Sequence, residues 1–348
     1  MVATMITSLP RFCFSASTKT FAKRTPPFLY NRPNTLLLKF PNTCTTLPSL
    51  TCTTLPSLTP SKLLPFCFFN AGKDNPDFQQ KEETELGWPI LKRWEVPWEW
   101  QTVSLTSLAC GLSFILTGLI ETAAIPYLGL NIEELSLDQK AEILFVDQSI
   151  TTIVVLGVLY GVANTFQPLP EDLFRYDFKE PFNLKKGWLL WAAIGLVGAL
   201  IAIALTGAAM SLFRGEDSQR ETDALVRLLP LIGSSSISTA CLVGITGVLA
   251  PVLEETVFRG FFMTSLTKWV PTPVSVIVSA AVFALAHLTP GEFPQLFVLG
   301  TALGFSYAQT RNLVTPITIH AFWNSGVILL LTFLQLQGYD IKELLQAT

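Results

Sequence analysis

The stretch Leu253–Gly260, LEETVFRG, sets two carboxylates and a guanidinium inside an otherwise apolar run from Ser236 to Leu266. A charged side chain at a bilayer centre costs about 2.5–3.5 kcal/mol on insertion scales, so such residues mark sites that use them. Farther along stand FALAH (Phe283–His287) and HAFWN (His320–Asn324), and the chain has only these 2 histidines. Together these types can activate a water molecule. A carboxylate taken out of water is a stronger general base, an imidazole beside it can orient the water, and imidazole and amide N–H groups can hold a developing oxyanion.

Helical spacing divides the labour among them. Glu255 and Arg259 stand four apart, as do His320 and Asn324 and also Phe283 and His287, so each pair shares a helix face. Glu254 points about 100° away from Glu255. Glu255 is therefore expected to neutralise Arg259 and leave Glu254 facing a polar cavity. Lys268, Trp269, Pro271 and Pro273 mark a tight turn at a membrane surface. Glu254 precedes Lys268, and His287 follows Pro273, by the same number of residues, which puts both roughly 21 Å from that turn. Measured from Arg311–Asn312, His320 is about 12 Å deep and Asn324 about 18 Å. All four side chains can occupy one layer.

In order and spacing, EETVFR, FALAH and HAFWN resemble the EExxxR, FxxxH and HxxxN signatures of the CPBP family of intramembrane proteases, also called Abi, over Ser236–Leu334. The resemblance implies a polytopic helical protein similar to type II CAAX prenyl endopeptidases, which cut a peptide bond beside a lipidated cysteine. It implies that Glu254, assisted by His287, activates water and that His320 and Asn324 stabilise the oxyanion, with Glu255, Arg259 and Phe283 in support. No metal is expected to be required, because HExxH is absent and Asn324 accompanies one histidine. A divalent ion such as zinc on Glu254, His287 and His320 stays open. Also open are a polar network that only fixes helix packing, a non-proteolytic chloroplast scaffold or chaperone that keeps the site, and a proton-relaying transporter, although no inverted repeat is visible.

The elements that must position these groups follow from composition. Hydrophobic residues make up 50% and charged residues 14% of the chain, against about 25% charged in ordinary soluble domains, which points to an all-α membrane protein. A net charge of −3 without a basic motif excludes nucleic acid as a partner. Seven spans are expected, near Val103–Leu128, Ile143–Ala163, Trp188–Phe213, Ser236–Leu266, Val274–Leu288, Phe293–Gln309 and Leu313–Leu334, with a kink at Pro251. Residues 101–233 hold the N-terminal helices, 234–336 the motif domain and 337–348 a tail. Gly300–Gly304, GTALG, suits close helix packing. Glu121 and Asp147 read as interfacial or packing carboxylates, and Cys110 and Cys241 as small buried hydrophobes.

Residues 1–72 have a different character. Met1–Lys73 contains no Asp or Glu, is rich in Ser and Thr, and repeats TCTTLPSL at Thr43–Leu50 and Thr51–Leu58. That composition is expected of a chloroplast transit peptide that is removed. Residues 73–100 approach the membrane with Trp88, Trp94, Trp98 and Trp100 as an interfacial belt. Arg175, Lys179, Lys185 and Lys186 lie in one connection, whereas Arg214–Asp223 is mostly acidic, so the N-terminal side is expected to be stromal in a thylakoid or inner-envelope membrane. The expected partners are the bilayer and a membrane-associated protein or peptide substrate.

Overall fold

The computed structural model describes residues 89–129, 131, 134–213 and 230–339. The expected transit peptide, Trp88 and most of the approach segment, the Arg214–Asp223 connection and the tail beyond residue 339 lie outside the described residues. Among the described residues there are helices and no strands. This follows from a bilayer solvent, in which each backbone N–H and C=O must be satisfied within its own segment.

Among the described residues seven long helical rods follow in chain order: α1 (Trp100–Ala124), α2 (Leu137–Asn164), α3 (Trp188–Phe213), α4 (Ser236–Leu266), α5 (Thr272–Ala286), α6 (Phe293–Thr310) and α7 (Val314–Leu336). Five of them, α1, α2, α3, α4 and α7, are long and apolar enough to cross a membrane. The other two do not reach that standard. Helix α5 has 15 residues, or about 22 Å of rise against a core about 30 Å thick. Helix α6 has 18 residues and carries Gln295, Ser306, Gln309 and Thr310.

Helices α5 and α6 pack on each other through Gly300 and Gly304. A Cβ at Gly300 would sit 3.1 Å from Ala280 Cα, and one at Gly304 would sit 2.7 Å from Val276 Cγ1. Hydrogen gives the approach that a methyl would block, as the GTALG spacing suggests.

Two polar layers hold the ends of the rods. At one end, Ser136 and Gln139 form a capping box that starts α2. The Ser235 hydroxyl accepts from Ser238 N–H to start α4. Asp138 accepts from the hydroxyls of both Ser235 and Ser238 and ties the two starts together.

At the opposite end four connections interlock. Trp94 N–H donates to Thr267 Oγ1 (3.1 Å) and Trp98 Nε1 to Ser265 Oγ (2.7 Å). Arg311 pairs with Asp172 and donates to the carbonyls of Lys92 and Arg93. Asn312 exchanges hydrogen bonds with the Asp177 backbone. Trp94 and Trp98 are thus buried, which corrects their placement in an interfacial belt. Each indole N–H has a protein acceptor, Asp172 C=O for Trp94 and Ser265 for Trp98, so the rings can leave the interface. Trp100 stays exposed.

Candidate active site

Helix α4 carries the acidic motif and is not wound uniformly. It is π-helical over Ile245–Leu249 and again over Thr256–Met263, and α-helical over Ala250–Glu255 between them. Pro251 has no N–H to return to the preceding turn, and a widened turn stands directly before it. In that turn Gly247 faces α7 so closely that a Cβ would lie 2.2 Å from Ser325 Oγ. The approach lets Thr246 C=O accept from Asn324 Nδ2 at 3.0 Å.

Glu255 is completely buried, and one of its oxygens organises the layer. Oε1 accepts from Arg259 Nη1 at 2.8 Å and lies 2.8 Å from His320 Nδ1. Arg259, also completely buried, donates Nη2 to Gly300 C=O at 3.1 Å and stacks its guanidinium 4.4 Å from the centre of the Phe283 ring. The guanidinium charge is offset by carboxylate, carbonyl and aromatic face together, although Arg259 Nε and Glu255 Oε2 keep no partner of their own. Phe283 also meets both imidazoles, with ring centres 4.6 Å from His287 and 5.8 Å from His320.

Glu254 faces the other way. Its Oε2 lies 3.9 Å from His287 Nε2 and 3.9 Å from His320 Nε2, and has no hydrogen-bond partner within the protein. These distances exceed a direct hydrogen bond.

The far nitrogen of each imidazole is anchored. His287 Nδ1 lies 2.8 Å from Phe283 C=O, and His320 Nδ1 lies against Glu255. Both acceptors require Nδ1 to carry the proton, which turns each Nε2 toward Glu254. His287 Nε2 can then accept from a water. His320 Nε2 is a donor only when its ring is the imidazolium, and the Glu255 carboxylate is placed to balance that charge.

Glu254, His287, His320 and Asn324 all line a cavity of about 600 Å³ whose remaining wall is mostly apolar. Asn324 uses one amide N–H on Thr246 and keeps the second available. The cavity extends to Cys110 and Phe114 of α1 and Gln148 of α2, outside the motif region.

Glu254, His287 and His320 are also the donor types that a divalent metal takes. Their 3.9 Å separations are wider than the roughly 3.3 Å between neighbouring ligands of a tetrahedral zinc with 2.0–2.1 Å bonds. Among the described residues no group of three or more His, Cys, Asp or Glu is arranged to hold a metal. No step below is routed through one.

Local spacing placed Glu255 beside Arg259 and Phe283 beside His287. It offered no sign of the Glu255–His320 contact, the Gly300 carbonyl under Arg259 or the Thr246 carbonyl beside Asn324, which depend on helix rotation. Gln148 had one signal, as a polar residue in an apolar run.

Residues 236–326 match the family model described as type II CAAX prenyl endopeptidase Rce1-like. YdiL of Bacillus subtilis, a candidate membrane peptidase by its name, is 22% identical over 181 residues, which span 52% of this chain and 70% of YdiL. The membrane-embedded CAAX protease MroQ of Staphylococcus aureus is 26% identical over 163 residues, 44% of this chain and 61% of MroQ. No solved structure matches the chain.

Proposed function

We propose that this multi-pass membrane protein, whose residues 236–326 belong to the Rce1-like type II CAAX prenyl endopeptidase family, is an intramembrane endopeptidase that uses Glu254 as its general base. The observation that carries the reading is Glu254 Oε2, unpartnered at a cavity wall and 3.9 Å from two imidazole nitrogens whose rings are anchored behind.

A water within reach of Glu254 and His287 attacks the substrate carbonyl carbon as Glu254 takes its proton. The carbonyl oxygen becomes an oxyanion held by His320 Nε2–H and the free Asn324 N–H. Collapse of the intermediate breaks the C–N bond, and Glu254 returns the proton to the departing amine. Each donor aimed at such an oxyanion is worth about 3–4 kcal/mol in a dry site.

The substrate is a membrane-associated protein or peptide whose scissile segment reaches the middle of the bilayer. The acid-free, Ser/Thr-rich composition of Met1–Lys73 supports a chloroplast membrane, thylakoid or inner envelope, with residues 1–72 removed on import. Lys92, Arg93, Arg175, Lys179, Lys185, Lys186, Lys268 and Arg311 cluster at the interlocked end, which supports a stromal position for that end and for the N-terminus.

The test compares new protein N-termini in chloroplast membranes from plants with and without the protein. Cleavage products are expected to disappear in its absence and to return with the wild-type chain but not with Glu254→Gln. Full restoration of the products by Glu254→Gln would overturn the protease reading and favour a scaffold that retains the site.

A further inference from the structure

The connection between α2 and α3 is built more rigidly than a linker needs to be. Trp188 Nε1 donates to Phe178 C=O (3.0 Å) and Trp191 Nε1 to Leu184 C=O (3.1 Å). Asn183 Oδ1 accepts from the N–H groups of Lys185 (2.9 Å) and Lys186 (3.2 Å), while its side-chain amide donates to Glu180. Gly187 is enclosed so tightly that a Cβ would lie 2.4 Å from Asn183 N. Gln309 of α6 donates to Lys185 C=O at 2.9 Å and fixes the loop to the bundle.

This fixed loop holds three large apolar side chains outward: Phe178 is 69% exposed, Phe182 70% and Leu184 81%. Exposed apolar groups on a rigid loop are unfavourable in water, and here they need not face it. Trp188 opens α3, the most apolar of the spans, so the loop sits where hydrocarbon gives way to headgroups. Lys179, Lys185 and Lys186 accompany the three apolar residues in the same stretch. The remaining cation, Arg175, is already paired with Asp177.

We infer that Phe178–Gly187 is an interfacial clamp that binds the anionic headgroups of the surrounding bilayer, with Phe178, Phe182 and Leu184 in the acyl boundary and the three lysines on the acidic groups. Charge complementarity selects the occupant. A neutral bilayer would satisfy the apolar trio alone, and an acidic soluble protein would leave the trio in water. The clamp does not depend on the catalytic reading, since none of its residues lines the cavity.

The experiment uses the full chain in bilayers of phosphatidylcholine containing spin-labelled phosphatidylglycerol or spin-labelled phosphatidylcholine, and measures their relative association at the protein surface. Each lysine near an anionic surface contributes about a fivefold preference. The wild type is expected to prefer phosphatidylglycerol severalfold or more, and high salt should remove the preference by shortening the screening length. The K179Q/K185Q/K186Q variant should lower the ratio severalfold with folding unchanged. The F178S/F182S/L184S variant should weaken association of both lipids at this surface. A wild-type ratio of one, or a preference that the lysine variant retains undiminished, would overturn the clamp. A wild type that captures acidic soluble protein but shows no lipid preference would do so too.

Discussion

Two arginines are buried in similar ways at two depths. Arg259, two turns before the end of α4, pairs with Glu255, donates to Gly300 C=O and stacks on Phe283. Arg311, in the turn before α7, pairs with Asp172, donates to the carbonyls of Lys92 and Arg93 and stacks 4.1 Å from the centre of the Trp94 ring. Each joins several chain segments, so a buried cation is by itself a sign of a joint between helices and not of chemistry. The difference lies next door. Beside Arg259, the same carboxylate that receives the guanidinium also orients His320, and Glu254 is left with an unpartnered oxygen at a cavity wall. Beside Arg311, Asn312 spends its side chain on the backbone of Asp177. Both arginines keep an unpartnered Nε, so what separates the candidate site from the structural joint is a carboxylate with an unpartnered oxygen on a residue that lines a cavity.

The largest effect should come from breaking the deeper joint. Arg259→Ala leaves Glu255 buried without its guanidinium, a change that costs about 3–5 kcal/mol. Accumulation in membranes and the unfolding temperature should both fall, as thermal denaturation in detergent or nanodiscs would show. Asn324→Ala should instead lower kcat by about 10²-fold to 10³-fold with a small change in unfolding temperature. If it behaves like Arg259→Ala, Asn324 belongs to the packing and the oxyanion role fails.

Arg311→Ala should cost less than Arg259→Ala, about 1–3 kcal/mol, because its partner Asp172 is half exposed and can be rehydrated. The kcat of that variant should stay near wild type in a cleavage assay, and a large loss of kcat would erase the contrast between the two arginines.

The smallest effect is one of pH. Asp177, outside the spans, is held below the usual carboxylate range first by its hydrogen bond from Arg175 and then by the Lys179 N–H. A carboxylate whose pKa is lower in the folded state adds stability above its unfolded pKa and loses it as pH falls through the folded one. Between about pH 5 and about pH 3 the wild type should therefore lose slightly more thermal stability than Asp177→Asn. Parallel curves would show that the loop contributes nothing there.

Much of the site was legible before any coordinates. The i,i+4 rule pairs Glu255 with Arg259, and counting residues from two turns brings Glu254 and His287 to one depth because helical rise is constant. Helix rotation about its own axis has no such constant, so the Glu255–His320 contact and the anchoring of His287 on its own helix's carbonyl could not be read from spacing. The π-helical turns on both sides of Glu254 were foreseen only as an interruption at Pro251. Trp94 and Trp98 misled because the aromatic belt describes an average preference, whereas each of these rings found an acceptor inside the protein. Seven spans were expected, whereas five helices among the described residues are long and apolar enough to cross a membrane; α5 and α6 fall short of the length or apolarity that marks a crossing.

In the proposed function the two adjacent glutamates have different tasks, Glu254 in chemistry and Glu255 in holding the layer together. This division is tested most directly by measuring cleavage rate and unfolding temperature on the same reconstituted preparations of wild type and Glu254→Gln. A loss of about 10²-fold to 10⁴-fold in rate with an unchanged unfolding temperature is expected. A variant that still cuts at the wild-type rate, or that loses rate only because it unfolds, would contradict it.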